Sequence, residues 1–498
     1  MDVMKLCRRV SCLCLLLFFL SDTSFAQKHP YTLPKFAPQV LREDLSLLQK
    51  ILEANHPSLY WYTSKDSMDG YFSNAINSIT DSLDEVAFKN KVAYVVSKIR
   101  CGHTTVRFSK AYSKKASLFR FPQFPLALKT WDDSLVVIGN ITPGDTIFKR
   151  GTIITGINGR TNRQLLDTLF QYISTDGYSD NYKSQVISGN FAAWYKTILG
   201  LDSSYLINYI DSTGKTASAR IGNFSPTLEM LRHIDRGLPA IQKPTRRQLR
   251  RAGLLEKRSL WIDTAASTAF IRLTTFSGGN LRGFFRRSFR TLHEQGVQHL
   301  VLDLRENGGG KVRTSVLLAQ YLTDHSFKVG DTVAAVSRSF TYGRYIKPVL
   351  LYWFAMHFGA HKLDDGRIHI RYYERHLFKP KTVNHFNGDV YVLQGGYTFS
   401  ASTMFLSWLQ HQKNITTLGE ETGGGYYGNS AMNIPTITLP NTRLQVSLPM
   451  YRLVMDSTRS KGHGFMPDIE IRPSSHAIRR GADLKLEKVR ELIQQKPR

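Results

Sequence analysis

Residues 394–428 read QGGYTFSASTMFLSWLQHQKNITTLGEETGGGYYG. An apolar run, 390–393, ends there in two glycines. Ser400, Ala401 and Ser402 follow, and then the helix-spaced Met404, Phe405, Leu406 and Leu409. The apolar period thus changes from strand-like to helix-like at the serine. A hydroxyl at such a junction sits beside the free N–H groups of a helix N-terminus. That setting serves either a helix N-cap or a nucleophile whose alkoxide and oxyanion need donors. A second group follows the apolar run 299–304: Arg305-Glu306-Asn307-Gly308-Gly309-Gly310. Glycines there permit positive φ and leave backbone N–H groups uncovered, which suits an oxyanion. A phosphate would fit too, but the Lys and Ser/Thr of a nucleotide loop are absent. Asp303 and Arg305 are placed to brace this turn from the strand end. The third group is Cys101-Gly102-His103-Thr104. Gly102 allows a tight exit from a helix, and His103 then stands at a helix-to-strand corner. Imidazole is the side chain best matched to general-base work near neutral pH, or it is a structural hydrogen-bonder. Cys101 has no basic activator except His103 and reads as buried packing.

These residues need elements to hold them. Leu41, Leu45, Leu48 and Leu52, and then Phe88, Val92, Val95, Val96 and Ile99, predict amphipathic helices over 31–99, the first stopped by Asn55-His56-Pro57. Tyr60, Trp61 and Tyr62 cap a core or line a peptide groove. From 121 to 215 the pattern becomes short strands, with a strand entering an Asn158-Gly159 turn and a helix after it. That order resembles a PDZ-like module, which takes a peptide tail along a strand edge. Residues 224–257 read as a basic connector. Arg282, Arg286, Arg287 and Arg290 add a second basic patch along a helix. From 259 strands and helices alternate. The run 348–359 is too short to cross a bilayer; it reads as an internal helix, a dimer face or a membrane-resting patch.

Composition bounds the class. A chain of 498 residues is long enough for two or three domains. Lys and Arg total 66 against 39 Asp and Glu, a net charge of +27. This favours anionic partners such as an envelope surface, while the even spread of charge argues against a nucleic-acid footprint. Lys5, Arg8 and Arg9, an apolar core at 12–20 and Ser24-Phe25-Ala26 together read as a secretory signal peptide. Its removal takes three basic and two acidic residues, leaving +26, and leaves Cys101 as the one cysteine, so no internal disulfide is expected. No zinc-finger spacing or nucleotide loop is present, and no cofactor or metal is expected.

Taken in order, Gly102-His103-Thr104, Asp303-Leu304-Arg305-x-Asn307-Gly308-Gly309, Thr398-x-Ser400-Ala401-Ser402 with Gly419-Glu420-x-Thr422-Gly423, and Gly464-x-x-Pro467-Asp468 resemble the tail-specific, C-terminal processing peptidases, serine hydrolases of family S41. The resemblance runs almost the length of the mature chain. It implies an α/β, crotonase-like (ClpP/crotonase-type) core with an N-terminal helical domain and a PDZ-like domain. The corresponding boundaries are a signal peptide at 1–26, a helical domain at 27–115, a PDZ-like domain at 116–223, a basic linker at 224–258, a peptidase core at 259–480 and a C-terminal helix at 481–498. It implies Ser400 as nucleophile, with Ala401 N–H and the turn at Gly308, Gly309 and Gly310 as oxyanion hole. The branch with a Ser-Lys dyad would carry its lysine where this chain has Gly425, and no lysine occurs from 416 to 439. The likeness is therefore nearer the tricorn-type branch, in which His103 would be the base. Lys461 stands where that branch has a glutamate, so Glu420 or Glu421 is the acid expected to orient His103. The implied protein is an exported peptidase, periplasmic or extracellular, with outer-membrane association as an open alternative, acting on protein or peptide substrates. The alternative is an inactive peptide-binding or scaffold protein of the cell envelope.

Overall fold

The structure, a computed structural model, describes residues 33–116, 122–225, 244–348 and 350–496. The expected signal peptide at 1–26 and most of the expected connector lie outside these residues. The described chain opens with helices Pro38–Asn55, Lys65–Asn77 and Glu85–Ser97. Their apolar stripes, including Leu41, Leu45, Leu48, Phe88, Val92 and Val96, are fully buried. Ser64 and Asp84 cap the second and third helices by accepting from the backbone N–H groups of Ser67 and Ala87. The first ends where Pro57 holds His56 in an extended conformation (φ −78°, ψ 120°).

A second apolar core lies between residues 124 and 221. Strands Leu126–Trp131, Ser134–Asn140, Ile153–Ile157, Ser204–Ile210 and Thr216–Gly222 pair antiparallel in that order. Asn158 and Gly159, both at positive φ, turn the third strand back onto Arg160–Thr161. Helices Asn162–Phe170, Asp180–Gly189 and Phe191–Leu199 cover this sheet. In place of a bare connector, Arg246–Lys257 is a helix started by a Thr245/Gln248 capping box, and none of its residues is buried.

The largest part of the chain is built on a six-stranded sheet: β1 (Arg258–Asp263), β2 (Thr268–Leu273), β3 (His299–Asp303), β4 (Asp389–Gln394), β5 (Ile415–Gly419) and β6 (Ile469–Glu470), adjacent in that order. β1 is antiparallel to β2, and the others run parallel. Leu300 and Leu302 of β3 enter one large core, and Val301 between them faces a smaller one under helix Leu484–Gln494. This is the period-2 burial of a sheet covered on both sides. The large core also takes in the N-terminal helices and two further sheets. One of these pairs Val106–Arg107 with Gln445–Ser447, so the segment after the third helix is stitched to the C-terminal half.

The expectation of a crotonase-like (ClpP/crotonase-type) core is corrected here. Motif patterns report strands, turns and helices one at a time, but strand order and partners are set by long-range pairing. That pairing puts the N-terminal helices, the six-stranded sheet and the Val106–Arg107 sheet into one core.

Candidate active site

In the register of the parallel strands, Asp303 lies opposite Leu393, and Leu393 opposite Leu418. Their carboxyl ends are therefore level, and the loops leaving β3, β4 and β5 emerge side by side. This edge is where open α/β sheets present their chemistry. Leu304 N–H donates to Leu393 O at 2.9 Å. Thr398 Oγ1 donates to Leu304 O at 2.9 Å and accepts from Gly395 N–H at 3.1 Å, joining the first two loops.

Ser400 stands between β4 and helix Ala401–Leu409 at φ 57°, ψ −122°, a conformation that costs a non-glycine residue about 1–3 kcal/mol. Its side chain makes no capping hydrogen bond, so the N-cap alternative is not the one adopted. The residue is partly exposed, whereas Ser402 is fully buried with an unpartnered Oγ. The tight turn is fixed by Phe399 N–H donating to Asn307 O (3.1 Å) and Ser402 N–H donating to Phe399 O (3.0 Å).

The triple glycine meets the serine directly. A Cβ on Gly309 (φ 92°) would fall 2.7 Å from Phe399 O and Ser400 Cβ and 2.9 Å from Ala401 N. Only a glycine lets the turn approach the serine this closely. Gly309 N–H donates to Asn307 Oδ1 at 3.0 Å, so this expected oxyanion donor is already engaged. Gly310 lies against Phe276 and Ser277 instead. Ala401 N–H opens the helix, where N–H groups have no intrahelical acceptor. The strand-end brace has the expected members and one more: Arg305 donates to both oxygens of Asp303 (3.0 and 2.7 Å) and to Asp483. Burial alone would raise the Asp303 pKa, but the Arg305 guanidinium holds it below the ordinary carboxylate value.

His103 reaches this edge because its corner is held on three sides. Val106–Arg107 pairs with Gln445–Ser447, and Ser447 N–H donates to Thr105 O at 2.9 Å. His56 Nδ1 accepts from Ser58 N–H, so its Nε2 donates to Thr104 Oγ1 at 2.8 Å. Gly102 has no room for a Cβ, which would fall 2.5 Å from the Phe399 ring. The His103 ring packs on that same Phe399, centroids 4.8 Å apart, one residue before Ser400. Burial lowers the His103 pKa to about 4, so the imidazole is neutral at pH 7. Cys101 is buried, and its thiol is pushed up to about 12, which makes it a protonated packing group.

The sequence reading missed Asp176. It is 2% exposed, and its carboxylate accepts from Gly102 N–H at 2.8 Å and Gly425 N–H at 3.4 Å. One carboxylate oxygen, one His103 ring nitrogen and Cys101 Sγ lie within 4.8 Å of one another. Burial raises the Asp176 pKa to about 7. Its loop is clasped by Gly177 N–H donating to Arg100 O and by Tyr178 N–H donating to Gly462 O. No local signal marks Asp176, since Ser174-Thr175-Asp176-Gly177 is an ordinary turn sequence. The carboxylates expected near His103 are occupied elsewhere. Glu421 accepts from Gly464 N–H at 2.6 Å and faces His463, and Glu420 pairs with Lys485. Lys461 Nζ donates to Trp61 O and lies over the rings of Trp61 and Tyr62.

Residues 267–471 match the family model Peptidase family S41. No curated protein matches the chain. Mature CPAF superposes with a TM-score of 0.61 at 14% identity, over 92% of this chain and 97% of that one. A serine-to-alanine mutant of CPAF gives 0.64 at 13% identity, over 93% and 99%. Mature CPAF complexed with lactacystin gives 0.60 at 14%, over 92% and 98%. These likenesses show the architecture, an α/β fold of the S41-peptidase type, and replace the crotonase/ClpP-type assignment. The likeness to peptidase family S41 is thus carried by residues 267–471, the segment that the family model matches.

Proposed function

We propose that the protein is an exported serine-type peptidase that hydrolyses peptide bonds of protein or peptide substrates through an acyl-enzyme on Ser400. The observation that carries this is the seating of the Gly309 backbone on Ser400 Cβ and Ala401 N, with the Ser400 side chain left uncommitted. His103 takes the Ser400 proton, and the alkoxide attacks the substrate carbonyl carbon. Ala401 N–H holds the oxyanion, with the glycine turn seated against it, and His103 passes its proton to the leaving amine. Water then attacks the acyl-enzyme with His103 again as base. Asp176, with a carboxylate oxygen within 4.8 Å of a His103 ring nitrogen, is the acid placed to orient that ring once the two close to hydrogen-bond range. With Gly425 where a dyad lysine would stand, the reading is a lysine-free site of the tricorn-like kind. The exposed arginines of helices Arg246–Lys257 and Leu281–Glu294 suit contact with an anionic envelope surface.

One observation favours the alternative of a peptide-binding scaffold: among the described residues no hydrogen bond joins Ser400 to His103. Such bonds are often long before substrate arrives. The test is turnover of a peptide library and labelling by a fluorophosphonate in wild type, S400A and H103A. The hydrolase reading expects activity and labelling in wild type alone. Wild-type rates in either variant overturn the assignment, and an unreactive wild type that still binds peptide supports the scaffold.

A further inference from the structure

Cys101, His103 and Asp176 come from two separate parts of the chain and converge on one point. We propose that they form a zinc site whose occupancy switches the peptidase off. Each offers one donor atom, and the three donors lie within 4.8 Å of one another. Cys101 is 4% and Asp176 2% exposed, and His103 Nδ1 is buried with no hydrogen-bond partner. A buried ring nitrogen with no hydrogen-bond partner is open to an ion. Zinc bonds of about 2.0–2.3 Å in tetrahedral geometry put ligand atoms roughly 3.3–3.8 Å apart. The three donors therefore need to close by at most about 1–1.5 Å. The backbone is already fixed: Thr104 N–H donates to Cys101 O at 3.0 Å, and Gly102 N–H donates to Asp176. A sulfur, an imidazole and one carboxylate select zinc over magnesium or calcium, and three protein ligands leave a fourth position for water.

The switching effect rests on the hydrolase reading above, whereas the binding does not. Zinc displaces the Cys101 thiol proton and takes a lone pair of the His103 ring. It also engages Asp176, the acid placed to orient that ring, so no free base faces Ser400.

The test uses the full mature chain, metal-stripped, titrated with Co²⁺ and then Zn²⁺. Wild type is expected to show a thiolate-to-cobalt charge-transfer band that zinc abolishes at one equivalent. Cys101→Ser and Cys101→Ala, checked for folding by thermal melts, should lose the band and bind at least tenfold more weakly. In the same samples, zinc should block fluorophosphonate labelling of Ser400 in wild type, a chelator should restore it, and both variants should stay labelled. No band in wild type, or unchanged binding in both folded variants, overturns the site while the hydrolase reading stands. A band in a protein that never labels upholds the metal site and sinks the hydrolase reading.

Discussion

Gly308 and Gly309 are adjacent, but the structure assigns them different consequences when each becomes alanine. At Gly308 a Cβ meets nothing within 4 Å. At Gly309 it falls 2.7 Å from Phe399 O and Ser400 Cβ, at φ 92°. Neither neighbour can rotate away, since one is backbone and the other is fixed to it. Restoring an ordinary 3.4 Å contact makes the turn retreat from the serine by about 0.7 Å. A misplacement near 1 Å at a reacting centre costs on the order of 10²-fold in rate. The positive φ adds about 1 kcal/mol of instability. G309A is therefore expected to fold with a slightly lower Tm and to lose about 10²-fold in kcat/KM, about 2.7 kcal/mol of transition-state stabilisation. G308A should stay within about threefold of wild type. The assay is peptide hydrolysis alongside the fluorophosphonate labelling rate, with thermal melts on the same samples. A folded G309A within threefold of wild type would refute the reasoning, as would an equal loss in G308A.

Two other predictions concern the groups around this edge. His103 is neutral above about pH 4 and Asp176 ionises near 7, so kcat/KM should rise with pH through about 7 as Asp176 loses its proton and grips the imidazole. D176N should lower the plateau by about 10²–10⁴-fold and erase that limb, and an unchanged limb in D176N would assign it to another group. Lys485 and Glu420 form an ion pair with both side chains 11% exposed. K485M strands a buried carboxylate and should cost about 3 kcal/mol in denaturant unfolding, and adding E420Q should recover part of it; a loss under about 1 kcal/mol would show the pair to be incidental.

Three groups of the candidate site each depend on a local pattern. The change of period at Ser400 is a strand-to-helix turn. Three glycines after an apolar run mark an uncovered backbone. Gly102 before His103 marks a corner. Arg305 beside Asp303 was placed on the same grounds, and the structure adds Asp483 as its third partner. The crotonase-like assignment failed because the same local units serve many α/β arrangements. For the orienting acid the sequence offers Glu420 and Glu421. Those side chains are taken by Lys485 and by the Gly464 turn, contacts that no periodicity encodes.

The sequence by itself determined the chemistry on offer: a serine, a glycine turn and a histidine, with no lysine where a dyad would need one. Tertiary structure alone decided what each packs on: His103 on Phe399, and Gly309 on Ser400. His103 and Ser400 are almost 300 residues apart, and what brings them to one edge is the pairing of Val106–Arg107 with Gln445–Ser447 and the packing of Phe399 against Gly102. Asp176 lies beside them through backbone donors, Gly102 N–H and Gly425 N–H, which every residue but proline carries and no sequence pattern advertises.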